Sequence, residues 1–546
     1  MLRIFGFMSR IRFWIAITGI VLSGKLSAQS LSAPAHLVFP PAYENAPDSL
    51  LLYISNPTSQ DIHVTSMRFF QTYGVAAFSA TQTAFTVPAL DSAGVWIKFL
   101  PRHNTWHNSE MLIDNDSHRG SISVDIQGQG KYSNHYYDST ENKSEEDLKV
   151  SMNQLLQNNY VSLGYNVARD SMFMVIDNMM VNGQGAAQNT IECIYTGRQA
   201  VGYTDRTDCQ TNYSFNTEHT FPQSLFGSAE PMKSDLHHLF PTDDNANNVR
   251  NNYPFGTVLN PSWSQGGSKY DSGILEPRDQ QKGATARAML YFVIRYQNYS
   301  GFLTSQEATL RGWNNLFPPS QVETDRNDKI NSMQHNRNPF VDYPQFMERI
   351  TSVSTFSTLH PFMQIYNSEP AINYGYVAAN VPQVYRYIIV NGGNCDFSVS
   401  NIALSPAVFT FANGTGNDTV LAAGESLPID ISLLTGPSGP INGTLYFDTN
   451  VPGHSPGIVT IHADGASPVG TTDLSREAFS VYPNPFSDRL IIQHAKGKIV
   501  LTDVSGRELH VEENRPGSDL ILNTSELNAG VYFLRSAFQA TKIIKL

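Results

Sequence analysis

Apolar and polar residues alternate with a period of two in short runs between positions 33 and 130: Ser49 to Ser55, Val64 to Phe70, Val95 to Leu100 and Ser121 to Gln127. Asn56-Pro57 and the Asp91 to Gly94 segment punctuate them. Side chains of a strand point alternately to its two faces, so these runs predict half-buried strands, and their close spacing predicts an antiparallel β-sandwich. The period then changes. Leu148, Met152, Leu155 and Leu156 recur at helical spacing behind Ser144, a candidate N-cap, with Glu145, Glu146 and Asp147 in the first turn. A second helix is expected over 284–299, where Ala288 to Ile294 is apolar all round and therefore buried. A third is expected from Pro344 through Ile350. Strands return over 381–466, at Tyr385 to Val390, Leu427 to Ser432, Gly443 to Asp448 and Gly457 to His462, and look like a second copy of the first sandwich. Short strand-like runs also fill the last seventy or so residues, from Phe479 to Leu546.

A chain of 546 residues exceeds a single core, and 41% hydrophobic with 15% charged residues describes several folded domains and not a disordered polymer. Arg3, Arg10 and Arg12, the short apolar run Phe13 to Leu22, and Leu26-Ser27-Ala28 read as a secretory signal over 1–28. No other stretch is apolar for long enough to predict a membrane span. Three cysteines, Cys193, Cys209 and Cys395, exclude a disulfide scaffold and offer no zinc spacing; a Cys193–Cys209 bridge and two free thiols both remain open. His103, His107 and His118 read as solvated loop side chains. The formal charge of −12 argues against a protein that binds nucleic acid by bulk counterion release, while leaving room for local cationic contacts.

The chemistry concentrates in FNTEHTFPQSLF and SDLHHLFPTDDNANNVRNNYPFG, which together lie within 215–256. Glu218 and an Asn of the 245–252 segment are hard oxygen donors suited to one divalent cation, and the neighbouring His219 in its neutral form can take a proton from water. Breakers after Pro222, the apolar Leu236, Leu239 and Phe240, and the capping Asp243-Asp244 predict the order strand, loop, strand, helix. Because Glu218 and His219 are adjacent, the first strand is expected to end or bulge there. This stretch resembles the ββα-metal, or His-Me finger, nucleases, and within them the bacterial endonuclease I family. Cys193-Ile-Tyr-Thr-Gly-Arg198, Leu275-Glu-Pro-Arg-Asp279 with Lys282-Gly283 and Arg287, and Gln334 to Asp342 follow the order of that family's blocks.

The resemblance covers about 135–375 and implies a secreted, non-specific phosphodiester hydrolase of DNA, and often of RNA, that uses one Mg²⁺ (or Ca²⁺ or Mn²⁺) and leaves 5′-phosphate ends. It makes His219 the general base and Glu218 and Asn247 the metal ligands, with Asn248 the one-step alternative to Asn247. Asp235, His237 and His238 become supports of the finger, and a second metal on the His pair is the rival reading. Arg250, Arg278 and Arg287, and less strongly Arg337, become phosphate contacts. The loop from Pro222 to Ser234 is shorter than in better-known members, and Lys233 stands where some carry Glu. With His219 as base, the rate is expected to rise with pH near the ordinary imidazole value of about 6.5.

The strand, Asn-Pro step and the closing Gly128-Gln-Gly130 of the first sandwich resemble Ig-like modules. Phe479-Ser-Val-Tyr-Pro-Asn-Pro-Phe486, Leu527 to Leu534 and the terminal Lys-Ile-Ile-Lys-Leu resemble the type A sorting domain of the type IX secretion system. The expected fold class is therefore multidomain: an α+β ββα-metal nuclease domain set in helices, flanked by Ig-like β-sandwiches, with a C-terminal β-sandwich sorting domain. Expected boundaries are 1–28 signal, 29–130 first sandwich, 131–378 nuclease, 379–468 second sandwich and 475–546 sorting domain. The protein is expected to be a monomer on the cell surface or outside the cell, with nucleic acid and the secretion machinery as partners. The alternative is a non-catalytic adhesin carrying a degenerate nuclease fold, which loss of Glu218, His219 or Asn247 would favour; none is lost.

Overall fold

The alternation between positions 33 and 130 is realised as two facing sheets in the computed structural model, which describes residues 31–71, 77–117, 119–378, 381–434, 439–465, 480–493, 497–504, 506–514, 519–535 and 540–546. One sheet orders His36–Val38, Ile122–Lys131, Trp106–Asn115, Ile62–Gln71 and Phe85–Val87, with Ala42–Tyr43 also on Ile122–Lys131; the other orders Asp48–Ser55, Ser92–Phe99 and Phe78–Ala80. Every second residue of Ile122–Lys131 is buried. Leu52, Ile54, Ile97 and Phe99 from the smaller sheet meet Val64, Met111, Ile113, Val124 and Ile126 from the larger one in a shared core.

The histidines at the edge of this sandwich are not solvated. His103 and His107 are both buried, because the segment after Leu100 is covered by the helical domain: His103 Nε2 lies 2.9 Å from Glu348 Oε2, and His107 Nε2 lies 3.3 Å from the His103 carbonyl. His118 lies outside the described residues.

The helical domain is built on Asp279–Arg295, which is buried almost all round, as its continuous apolar run predicts. Glu145–Gln157 packs against it through Leu148, Met152 and Leu156. Ser144 occupies the N-cap of that helix without donating or accepting a side-chain capping bond. The segment from Pro344 is a 3₁₀ turn, Pro344–Arg349, and not an α-helix. Among the described residues five further helices, Tyr165–Ser171, Arg206–Asn212, Glu307–Leu316, Gln321–Gln334 and the short Pro339–Asp342, complete the shell together with the helix of the site described below.

The second sandwich begins earlier than its sequence pattern suggests. Ile365–Asn367 and Ala371–Val377, assigned from sequence to the domain before it, pair with Gln383–Asn391 and Gly457–Gly465, and Ile365, Ile372, Tyr374 and Val377 sit in the second core. The strands are short, and a register shift between Asn373 and Tyr376 breaks the face of the second, leaving Tyr376 exposed and Val377 buried. The two sandwiches touch through Leu112, Ile388 and Val390, and the Arg386 amide donates to the Arg119 carbonyl at 2.8 Å.

The chain from Pro468 onward is a separate unit. Its strands form a three-stranded sheet, Ser480–Tyr482, Arg489–Gln493 and Leu520–Asn523, and a four-stranded sheet, Glu508–Asn514, Gly497–Asp503, Gly530–Arg535 and Ala540–Lys545. Phe486, Leu490, Ile492, Leu501, Leu534 and Ile543 fill its core. All three cysteines are free, so Cys193 and Cys209 are two buried thiols and not a bridge.

Candidate active site

Phe215–His219 pairs antiparallel with Leu239–Asp243, with Glu218 opposite Phe240 and His219 opposite Leu239. The strand ends at His219 without a bulge, and 220–238 continue as irregular chain with three short 3₁₀ turns. Asp243 closes the second strand and opens the helix Asp244–Arg250: its Oδ1 accepts from the Ala246 amide at 2.8 Å, and its Oδ2 accepts from Thr196 Oγ1 at 2.6 Å. The order strand, loop, strand, helix is thus present.

Glu218 is 3% exposed. Its Oε1 accepts from the Tyr195 hydroxyl at 2.8 Å and lies 3.1 Å from Arg250 Nε. Burial raises its pKa, and the Arg250 charge and the Tyr195 hydroxyl pull in the opposite direction. Among the described residues no hydrogen bond or ion pair goes to Oε2. Asn247 stands one turn before Arg250 on the same helix, half-buried, so the helical face that reaches Glu218 also carries the Asn247 amide. Asn248 is exposed.

His219 is 6% exposed and lies among the rings of Tyr165, His238 and Phe226, at centroid distances of 5.6, 5.6 and 6.4 Å. Its Nε2 is 3.1 Å from the Lys233 carbonyl. A carbonyl only accepts, so Nε2 carries the proton and Nδ1 is left with the lone pair of a neutral imidazole. Burial, then the neighbouring His238, holds its pKa down to about 3, which keeps the ring neutral through the whole range in which an ordinary histidine titrates.

Asp235 is the hub beneath the loop. Fully buried, it accepts from Tyr291 Oη at 2.9 Å, Tyr296 Oη at 3.0 Å and Gln334 Nε2 at 3.1 Å, and pairs with Arg295 at 3.2 Å. Burial pushes its pKa up, and Arg295 with His237 and His238 more than offsets this, holding it at about 2. His237 Nε2 lies 3.1 Å from the Asn336 carbonyl and His238 Nε2 2.6 Å from the Met232 carbonyl, so one nitrogen of each ring is spent on backbone, while His238 Nδ1 is buried without a hydrogen-bond partner. Among the described residues no three His, Cys, Asp or Glu side chains gather as a metal cluster. Glu218 and Asn247 are the residues that could offer a carboxylate and an amide oxygen to an ion that keeps several waters.

Two of the expected phosphate contacts, Arg250 and Arg287, need correction. Arg250 is 0% exposed: besides Glu218 it donates to the carbonyls of Thr220, Asn251 and Tyr253 and stacks on Phe255. Arg287 is buried in a two-bond pair with Glu323 and a bond to the Phe317 carbonyl. A guanidinium with its donors spent inside the fold cannot meet a phosphate outside it. Arg278 is partly exposed and pairs with Glu192; a Cβ at Gly197 would lie 2.1 Å from its Nη1. A Cβ at Gly283 would lie 2.4 Å from the Phe317 carbonyl oxygen and 2.5 Å from Arg287 Nη2, so this glycine makes room for the close approach of the Phe317 backbone. The glycines of those two sequence blocks thus serve packing. Arg337 binds Asp342 and Asp328.

Sequence reasoning missed Tyr195, although it lies inside a quoted block, and missed Tyr165 and Arg169 altogether. A single Tyr or Arg on a polar helix carries no periodic signal, and only the tertiary fold brings it to His219.

Residues 144–345 match the Endonuclease I family model, and residues 480–546 match that of the secretion system C-terminal sorting domain. The chain is similar to an extracellular ribonuclease of Bacillus subtilis (strain 168), 26% identical over 233 residues, which is 39% of this chain and 77% of that protein. It is similar to an extracellular ribonuclease of Bacillus amyloliquefaciens, 34% identical over 154 residues, covering 25% of this chain and 53% of the relative. A periplasmic deoxyribonuclease of Aeromonas hydrophila is 27% identical over 173 residues, 26% of this chain and 70% of that one. Residues 144–345 are therefore an Endonuclease I family domain, carried by a secreted or cell-surface protein whose residues 480–546 are a secretion system C-terminal sorting domain.

Proposed function

We propose that this domain is a divalent-metal-dependent, non-specific endonuclease of the ββα-metal type that hydrolyses extracellular DNA, and RNA as well, with His219 as general base and Glu218 and Asn247 as metal ligands. The observation that carries the reading is the Nε2–H of His219 donating to the Lys233 carbonyl beside a buried Glu218. That bond leaves Nδ1 with the lone pair that would accept a proton from the attacking water. His219 would take one proton as the water oxygen forms its bond to phosphorus and the P–O3′ bond breaks, giving a 5′-phosphate and, after protonation, a 3′-hydroxyl. Mg²⁺, Ca²⁺ or Mn²⁺, when bound by Glu218 and Asn247, would supply charge neutralisation for the phosphoryl oxygens and the departing 3′ oxygen. Arg250 and Tyr195 would hold Glu218 in position from the side away from that ion.

In this reading the two sandwiches are Ig-like spacers, and the sorting domain directs export by the type IX system. Relatives named as ribonucleases and as a deoxyribonuclease support testing both substrates. The test is incubation of the purified mature protein with plasmid, single-stranded DNA and RNA, with each metal and with EDTA. Cleavage that EDTA abolishes and that His219→Ala reduces by on the order of a hundredfold or more is expected. Equal cleavage by the EDTA-stripped or the His219→Ala protein would sink the assignment.

A further inference from the structure

The acidity of the chain and the burial of Arg250 and Arg287 leave open what holds a polyanion at His219. The helix Tyr165–Ser171 packs on the turn Met232–Ser234, which also supplies the carbonyl that orients His219. Tyr165 and Arg169 are four apart and share a helical face. Arg169 Cζ lies 4.2 Å, and Lys233 Nζ 4.5 Å, from the centre of the Tyr165 ring, whose own centroid is 5.6 Å from that of His219. Two cations are thus gathered on one aromatic ring beside the imidazole, a geometry that holds flexible cationic side chains in place at small cost.

Neither cation is neutralised locally. Among the described residues no carboxylate lies within ion-pair distance of Arg169 or Lys233. Arg169 Nη2 donates to Asn166 Oδ1 at 2.7 Å, while its Nε is buried with no hydrogen-bond partner. Of the nearby acids, Asp170 pairs with Arg206, and Glu230, which accepts from Ser234 Oγ, keeps its charge outside ion-pair distance of both cations. All three of Tyr165, Arg169 and Lys233 are half-buried.

We propose that Arg169 and Lys233, mounted on Tyr165, form the clamp that takes the backbone phosphate oxygens of the nucleic acid at the scissile bond. This rests on the nuclease reading above and goes beyond it by assigning substrate positioning to residues of the first helix pair and the short loop. Both cations engage the ring, so Tyr165 is a positioning platform and not a base-stacking surface. The clamp reads charge and spacing, which makes cleavage independent of base sequence.

The test measures cleavage kinetics, and binding of a fluorescein-labelled duplex and single strand to the His219→Ala protein, across a salt series. Lys233→Gln and Arg169→Gln should each raise KM roughly ten- to hundredfold, the range spanned by charge-assisted hydrogen bonds. Each should also lower the slope of log affinity against log salt by about 0.7–0.9. Lys233→Arg and Tyr165→Phe should retain most of the affinity, and Tyr165→Leu should lose it without a charge change. Circular dichroism and melting of each variant separate a lost clamp from a lost fold. Folded Gln variants with unchanged KM and unchanged salt slope would overturn the clamp while wild-type cleavage left the nuclease reading standing; absence of cleavage by the wild-type protein would overturn the nuclease reading itself.

Discussion

Replacing Arg250 by Met isolates what the buried guanidinium does. The side chain keeps its length and apolar stem but loses the charge 3.1 Å from Glu218 and the bonds to the Thr220, Asn251 and Tyr253 carbonyls. Stripping one partner from a buried ion pair costs about 3–5 kcal/mol, because the other charge stays desolvated. For a domain of this size each kcal/mol moves a thermal transition by about 2–4 °C, so the nuclease domain should unfold roughly 6–20 °C lower in scanning calorimetry. Burial already raises the Glu218 pKa, and losing Arg250 raises it further. A carboxyl whose folded pKa lies above its unfolded value penalises the fold above that pKa, so the deficit should shrink as pH falls. It should also shrink on adding Mg²⁺, which offers the stripped carboxylate another counter-charge and stabilises by mass action. A loss below about 1 kcal/mol, the worth of an exposed pair, would refute the reasoning and return Arg250 to the surface.

Because His219 is held at about 3, the acid limb of kcat/KM should lie well below pH 6.5; a limb at the ordinary imidazole value in a pH-rate profile would contradict the buried, neutral base. Asp235→Asn should leave Arg295 buried and unpaired, at a cost of about 3–5 kcal/mol measurable by denaturant unfolding. With a folded pKa of about 2, Asp235 contributes stability above its unfolded pKa that is lost as pH falls through about 2, so wild type and variant should converge in acid. Deleting 475–546 should leave folded, active nuclease in the periplasm of a host with the secretion machinery; equal extracellular activity with and without the segment would reject the address.

What could be read from the chain divides along physical lines. Period-two runs announced both sandwiches because each strand has one wet face, and Asp279–Arg295 announced itself because it has none. Gln321–Gln334 was missed for the opposite reason: it buries Arg326, Asn327 and Gln334 beside a single Ile330, so its inward face is polar and no hydrophobic stripe exists to find. The strand, loop, strand, helix order around Glu218 and His219 was legible from breakers and caps. Burial of the arginines was not, since an Arg paired with a distant Glu323 or with backbone carbonyls has the same local sequence as one that faces solvent. His103 and His107 were misread similarly, because what covers them lies more than two hundred residues away at Glu348.

The acceptor that sets the His219 tautomer is a peptide carbonyl, at Lys233, and not a side chain. Every amino acid that can occupy position 233 brings the same carbonyl, so the orientation of the imidazole is insulated from substitution there. The side chain at that position can change, and with it the charge presented beside His219, while the acceptor that orients the ring stays. One residue thereby combines an invariant element with an adjustable one, and selection can retune substrate preference through the second while the first stays out of its reach.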